Sequence, residues 1–182
     1  MNKILFFMGI IFILSGCSVM KVDVDYDTSY NFDGKTKYAV VHASRAGENT
    51  LTNDRIMQAI KSSLNVRNYT NVQKNEADLI FVFHVNVKDK TDIRTDYQMV
   101  GYRGFGYGFG GGGMMIATPS SYSYTEGTLI LDALNPKTKK IVWRGIASDE
   151  LNRSETTPEE KREYINKVIS ELMKNFPKKK RG

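Results

Sequence analysis

The chain has 182 residues, of which 26 are basic and 20 are acidic, and its formal net charge at pH 7 is +6. This length suits one domain with a hydrophobic core of its own. A single cysteine excludes a disulfide within the chain, and the two histidines form no paired metal motif such as His-Glu-x-x-His.

The first sixteen residues have the three parts of a secretory signal. Lys3 supplies a positive charge, residues 4–14 form an apolar run, and the small residues Ser15 and Gly16 follow. A helix needs about 20 residues to cross the hydrocarbon core of a bilayer. We therefore predict a cleaved signal peptide over residues 1–16 and not a retained membrane span.

Leu14-Ser15-Gly16-Cys17 resembles a lipobox, in which an aliphatic residue and two small residues precede the cysteine that receives the lipid. We predict cleavage between Gly16 and Cys17 and lipidation of Cys17. The resemblance to bacterial lipoproteins implies a diacyl group on the sulfur, often with a third chain, such as palmitate, on the new amino terminus. Ser18 follows the cysteine, and by analogy with enteric sorting rules a residue other than Asp favours the outer membrane, with the domain facing the periplasm.

The next elements, in chain order, are a tether, a strand, a helix and a second strand. We interpret residues 17–36 as the lipidated cysteine and a tether, although residues 22–27 alternate as an edge strand does. Residues 37–43 predict a buried strand, residues 53–67 a helix, and residues 79–88 the clearest strand. A single domain over 37–177 is expected to begin with this strand–helix–strand unit.

Residues 93–122 are predicted to be a loop rich in glycine and aromatic residues. Eight of the thirteen residues from Gly101 to Gly113 are glycine, which disfavours both helix and ordinary strand. One interpretation is a mobile connection between two strands. The other is an adhesive loop that contacts a protein partner, a glycan or the membrane interface through its aromatic side chains, which are Tyr102, Phe105, Tyr107 and Phe109.

The C-terminal half predicts two strands, over 124–134 and 140–151, followed by a helix over 158–176. Thr157 and Glu160 have the spacing of a capping box, with Pro158 at the first helical position. Residues 178–182 are a basic tail, which is typical either of a solvated end or of binding to anionic lipid or an acidic polymer. Export argues against nucleic acid as its ligand.

Three strings are the most distinctive: Tyr124-Thr125-Glu126-Gly127-Thr128-Leu129 with Asp132, Val142-Trp143-Arg144-Gly145, and Phe176-Pro177 at the end of the last helix. Further strings are Val24-Asp25-Tyr26-Asp27, Tyr38-Ala39, Ala77-Asp78-Leu79, Phe83-His84-Val85 and the glycine-aromatic segment. Together they resemble the domain-of-unknown-function 4136 family of bacterial lipoproteins. The chain departs from the family at Val40, where Trp is common, and at Asn68, where Gly is usual. The resemblance implies an exported, anchored α+β domain and carries no catalytic residue across.

The sequence offers no catalytic constellation. His42 and His84 lie in predicted strands among apolar neighbours, which is typical of structural histidines. No spacing pairs the carboxylates Glu126, Asp132 and Asp149 for acid–base work. Trp143 is expected in the core beside the last helix, with Arg144 on the other face of its strand and paired with Glu126 or Asp132. We predict no catalytic residue, no metal and no cofactor.

These observations predict an α+β fold, with one largely antiparallel sheet of about four to five strands, two helices on one face and a Gly-rich loop. The expected function is a membrane-anchored, non-enzymatic envelope module that binds an envelope protein or peptidoglycan and no nucleic acid. Two alternatives stay open. One is a periplasmic enzyme that uses carboxylates near the open sheet face, and the other is a carrier of a small ligand or lipid.

Overall fold

A computed structural model describes residues 20–42, 49–100, 114–151 and 156–177. Six strands and two helices make up these residues. They are β1 (Lys21–Tyr26), β2 (Lys37–Val41), α1 (Thr50–Val66), β3 (Thr70–Asn71), β4 (Leu79–Val100), β5 (Met114–Leu134), β6 (Ile141–Leu151) and α2 (Pro158–Lys174).

The strands form one sheet in the order β1-β6-β5-β4-β2-β3. The pairs β1–β6, β5–β6 and β4–β5 are antiparallel, whereas β2 is parallel to both β3 and β4. The α+β class is confirmed. The predicted strand count and the largely antiparallel character are corrected to six strands in a mixed sheet, because α1 returns the chain so that β2 and β4 run side by side in the same direction.

The hydrophobic core lies between the two helices and one face of the sheet. α1 contributes Ile56, Ile60 and Leu64, and α2 contributes Ile169, Leu172 and Met173. These side chains pack on large residues of the sheet, which include Tyr38, Phe81, Phe83, Leu131 and Trp143. Phe176, just beyond α2, meets the Trp143 ring edge-on at 5.1 Å, which confirms that Trp143 fills the core beside the last helix.

The segment predicted to be a tether belongs largely to the domain. β1 pairs with β6 over its whole length, from Lys21 with Ser148 to Tyr26 with Trp143. Phe32, farther along, packs edge-on against Phe176 at 5.8 Å. The tether boundary at residue 36 is therefore wrong, because the alternating and aromatic side chains of this segment pack on the core.

The clearest predicted strand is confirmed but is much longer than expected. β4 continues from residue 88 to Val100, and β5 begins at Met114 and not at residue 124. The predicted loop over 93–122 is thus strand over 93–100 and 114–122. Val85 and Val87 share a face with the core residue Phe83 but are 41% and 56% exposed, because they lie beyond the residues that the helices cover.

Candidate functional site

The residues predicted from sequence to act at the membrane or on a partner lie outside the described part of the chain. They are Gly16 and Cys17, and the loop aromatics Tyr102, Phe105, Tyr107 and Phe109. The structure does describe β1, which begins four residues after Cys17, and the two strands that lead into and out of residues 101–113.

A two-stranded arm projects from the sheet at the end where β4 leads toward residue 101 and β5 begins at Met114. The last pair between β5 and β6 is Thr125 with Leu151. Beyond it β4 and β5 pair only with each other within the described ranges, from Lys90 with Tyr124 to Val100 with Met114. We call residues 90–100 and 114–124 the arm. At about 3.3 Å per residue it is roughly 33 Å long.

Cross-strand side-chain contacts hold the arm together. On one face the rings of Tyr122 and Tyr124 stack at 5.8 Å, and the guanidinium of Arg94 lies 5.1 Å from the Tyr122 ring centre. Tyr122 also donates a hydrogen bond to Glu150 on β6, and this bond and the Glu150 charge raise the pKa of Tyr122. On the other face Thr91 and Ser123 share a hydrogen bond of 3.0 Å.

The two faces of the arm differ in chemistry. Alternation along β4 puts Ile93 and Tyr97 on the same face as the core residue Phe83, and the β4–β5 register adds Met115 to it. These three side chains are 78%, 69% and 66% exposed. The opposite face carries the charged residues, which are Lys90, Asp92, Arg94 and Asp96. The arm is therefore amphipathic, and its large apolar side chains lie in solvent.

The open face of the sheet, opposite the helices, carries the residues proposed for an enzyme. Arg144 donates two hydrogen bonds to buried Asp132, at 2.6 and 2.8 Å, which confirms the predicted cross-strand pair. That bond raises the pKa of Arg144. Glu126 forms an ion pair with Lys90, in which Oε1 and Nζ are 2.7 Å apart. His84 lies on the same face. It is two positions along β4 from Val82, the residue that pairs with Asp132.

Asp149, the third predicted carboxylate, lies on the helix side of the sheet. Tyr164 of α2 donates a hydrogen bond to it at 3.1 Å, and burial together with the Asp149 charge raises the pKa of Tyr164. The three carboxylates are thus divided between two faces, and each has a protein partner. Among the described residues no group of three or more His, Cys, Asp or Glu side chains is placed to hold a metal ion.

A second surface feature is a groove of about 470 Å³ along the outer sides of the two helices. Its lining is mostly polar and includes Asp54, Arg55, Gln58 and Arg162. Neither helix in the described ranges is both long and apolar enough to cross a membrane.

The sequence profile of a family described as "Domain of unknown function (DUF4136)" matches residues 22–178. The chain belongs to this family. A second profile, for the prokaryotic membrane lipoprotein lipid attachment site, matches residues 1–18. The DUF4136 domain is therefore carried by a membrane lipoprotein that is anchored through its lipid. No curated protein matches the chain.

The chain is similar to two solved structures, to different extents. A PDZ domain protein from Parabacteroides distasonis is 12% identical with a TM-score of 0.52, and the match covers 89% of this chain but only 37% of that one. The chain thus spans well under half the length of that protein. The PelC dodecamer from Paraburkholderia phytofirmans is 5% identical with a TM-score of 0.43, with 85% and 94% of the two chains covered.

Sequence reasoning missed the strand residues of the arm, of which Ile93, Tyr97 and Met115 are the most exposed apolar members. Two signals were available. One signal is that two stretches of nearly equal length flank the Gly-rich segment. The other is that charged side chains recur on alternate residues from Lys88 to Asp96. Pro119 argued against a strand, but it lies where β5 has no neighbour in the described structure other than β4, and an edge strand tolerates proline.

Proposed function

We propose that this DUF4136 lipoprotein is a non-enzymatic binding module of the cell envelope, held in the outer membrane and facing the periplasm. The arm is the element that binds its partner. Ser18 after Cys17 supports the outer membrane by the enteric rule. The helices and the sheet act as the scaffold from which the arm projects.

The observation that carries the proposal is the long pairing of β4 with β5 alone, with exposed apolar side chains on the arm. In a two-stranded ribbon, alternate backbone N–H and C=O groups of each strand point away from the other strand. Such free edges are templates for pairing with another chain, and an isolated hairpin is only marginally stable in water. A partner that covers the arm removes both liabilities.

The outer edge of β4 is the better of the two edges for adding a strand. Pro119 interrupts the donors of β5 near the middle of the arm, whereas β4 has no proline between Lys90 and Val100. Strand addition takes its affinity from main-chain hydrogen bonds. The proposed partner is therefore an envelope protein that supplies an extended segment, in preference to the glycan of peptidoglycan.

The geometry of the carboxylates supports binding over the enzymatic alternative. Asp132 is paired with Arg144 and Glu126 with Lys90, so each acid already has a cationic protein partner. Asp149 faces the helices and accepts a hydrogen bond from Tyr164. The core positions between helices and sheet are occupied by large side chains, which supports binding over the carrier alternative as well.

A photo-crosslinking amino acid placed in intact cells tests the proposal. The positions are Asp92 and Thr95 on β4, Ser121 on β5, and Val66 on α1 as a control that is 85% exposed. We expect one discrete protein adduct from the β4 positions, a weaker one from Ser121 and none from Val66. No protein adduct from the arm, or the same adducts from Val66 as from the arm, would contradict the proposal.

A further inference from the structure

The lipid anchor and the arm lie toward the same end of the sheet. β1 begins at Lys21, which pairs with Ser148 of β6. Ser148 pairs with Thr128 of β5, and Thr128 pairs with Asn86 of β4, so these four residues lie at the same level of the sheet. β6 runs parallel to β4, because both strands are antiparallel to β5. β1 is antiparallel to β6, so the N-terminal end of β1 points in the direction in which β4 runs. Only Ser18, Val19 and Met20 separate Cys17 from Lys21, so the linker reaches at most about 14 Å when fully extended.

This short linker prevents the arm from pointing straight away from the membrane. The sheet extends back from Asn86 to Leu79, at the start of β4, over seven residues, or about 23 Å. If the arm pointed outward, that opposite end of the domain would face the bilayer and would hold Lys21 farther away than the linker reaches.

Charged side chains prevent the arm from pointing straight into the membrane. Val100 lies fourteen residues beyond Asn86, about 46 Å farther along β4, which greatly exceeds the linker. A perpendicular arm would carry Asp92, Arg94 and Asp96 into hydrocarbon, where each ion costs about 2.5–3.5 kcal/mol or more. Tilted orientations remain, and when the arm slopes toward the bilayer its end is the part that meets it.

The end of the arm has the composition that such contact requires. Between Asp96 and Thr118 the only charged residue is Arg103. Tyr97 is 69% exposed, Met115 66% and Ile116 42%. Aromatic side chains with an apolar body and a polar tip favour the membrane interface. The part of β4 that leads to this end carries three positive and three negative charges and so has no net charge to attract anionic lipid. These residues are Lys88, Asp89, Lys90, Asp92, Arg94 and Asp96.

We propose that Tyr97, Met115 and Ile116 at the end of the arm insert into the interface of the same bilayer that holds the acyl chains on Cys17. The protein then has two membrane contacts, one through its lipid and one through apolar side chains. The second contact fixes the orientation of the domain and requires no partner protein, so it is independent of the function proposed above. Apolar burial drives it, and it is insensitive to salt and to the fraction of anionic lipid.

Site-specific labelling of the lipidated full chain tests this inference. Lipidation consumes the thiol of Cys17, the only cysteine, so Tyr97→Cys, Met115→Cys or Ile116→Cys each gives a unique site for an environment-sensitive fluorophore. Thr91→Cys at the base of the arm and Val66→Cys on α1 are the matched controls. Each variant is reconstituted in phosphatidylcholine vesicles that contain no other protein. Emission is then quenched by aqueous iodide and, separately, by nitroxides on the lipid chains.

We expect the three labels at the end of the arm to lose most of their iodide quenching and to be quenched by the lipid nitroxides, at low and high salt alike. Labels at positions 66 and 91 should stay open to iodide. Labels at 97, 115 and 116 that are as accessible to iodide as the label at 66 would overturn the inference. Shielding that grows with protein density and brings label-to-label energy transfer would also overturn it, because a second copy would then cover the end.

Discussion

Gly145 has a steric role beneath the tryptophan ring. A Cβ at position 145 would lie 2.6 Å from Cη2 of Trp143 and 3.0 Å from Cδ2 of Leu172. The ring of Trp143 therefore packs against the backbone of Gly145, where a hydrogen atom fits but a methyl group does not. This contact gives a steric reason for a glycine two positions after Trp143 in this chain.

Gly145→Ala should destabilise the domain by about 1–3 kcal/mol, because the buried Trp143 ring and Leu172 have no free space to move into. Urea unfolding followed by Trp143 fluorescence measures the loss. Gly127→Ala is the matched control, since the atoms nearest its Cβ would be Cδ2, Cδ1 and Cγ of Leu151, at 2.9–3.0 Å, and Leu151 is only partly buried. A loss at Gly127 that equals or exceeds the loss at Gly145 would refute this account.

The pair Asp132–Arg144 should respond asymmetrically to mutation. Asp132 has 7% of its side chain exposed, whereas Arg144 has 44% exposed. Arg144→Met leaves a buried carboxylate without its two donors and should cost about 1–3 kcal/mol. Asp132→Asn leaves an arginine that water can solvate and should cost less. Equal losses in urea unfolding of the two variants would show that desolvation of Asp132 does not decide the outcome.

Asp78 should make the domain more sensitive to acid. Burial favours the neutral form, but hydrogen bonds from the N–H groups of Lys37 and Thr36, with the nearby charges of Lys35 and Lys37, lower the pKa of Asp78 below 3.8. A carboxyl whose folded pKa is lowered stabilises the fold above its unfolded pKa and loses that contribution as pH falls through the folded value.

The free energy of unfolding, measured from pH 5 to pH 2, should therefore fall less steeply in Asp78→Asn than in the wild type. Asp27→Asn is a useful comparison, because hydrogen bonds from Ser29 lower the pKa of Asp27 too and place its effect in the same range. An unchanged slope in Asp78→Asn would exclude the Asp78 contacts as a source of acid sensitivity.

Local residue patterns were predictable because their determinants lie within a few positions along the chain. Thr157 and Glu160 form the expected capping box, with both reciprocal hydrogen bonds present. Asn68, where the family usually has Gly, has a φ of +61°, which asparagine tolerates better than most residues. The Arg144 partner was predicted only as one of two acids, because strand register decides it.

Among the elements, the arm should be separable from the scaffold. The contacts within it join β4 to β5, apart from the bond of Tyr122 to Glu150. Replacing residues 91–123 by Asn-Gly would close Lys90 and Tyr124 with a two-residue hairpin turn. We expect a cooperative domain whose unfolding free energy stays within about 1 kcal/mol of the wild type, measured by circular dichroism in urea. Loss of cooperative unfolding would mean that the arm is part of the folding core.

The arm was missed as strand because its apolar alternation is sparse. Beyond Val87 the core-face positions of β4 are Asp89, Thr91, Ile93, Thr95 and Tyr97, of which two are apolar. The sequence signals for β1 and β3 were equally weak. β1 is an exposed edge strand of six residues, and β3 has only two residues. The parallel pairing of β2 with β4 depends on where α1 returns the chain, and residue pattern does not state this.

At the scale of the whole molecule, the anchor and the arm limit where a partner can be. A linker of three residues keeps Lys21 within about 14 Å of the lipidated cysteine. The arm, about 33 Å long, then lies close to the same membrane. The partner of this lipoprotein is expected to be another protein near the membrane surface, which meets the arm from the side of β4.

The most direct test of the central claim compares membrane complexes of the full-length lipoprotein with those of the 91–123 Asn-Gly variant, resolved by native electrophoresis after mild solubilisation. Val66→Ser, at an exposed position of α1, is the control. The account predicts a discrete complex for the wild type and the control, and free lipoprotein for the variant without the arm, with all three anchored in the membrane. A complex that persists without the arm would contradict the claim that the arm binds the partner.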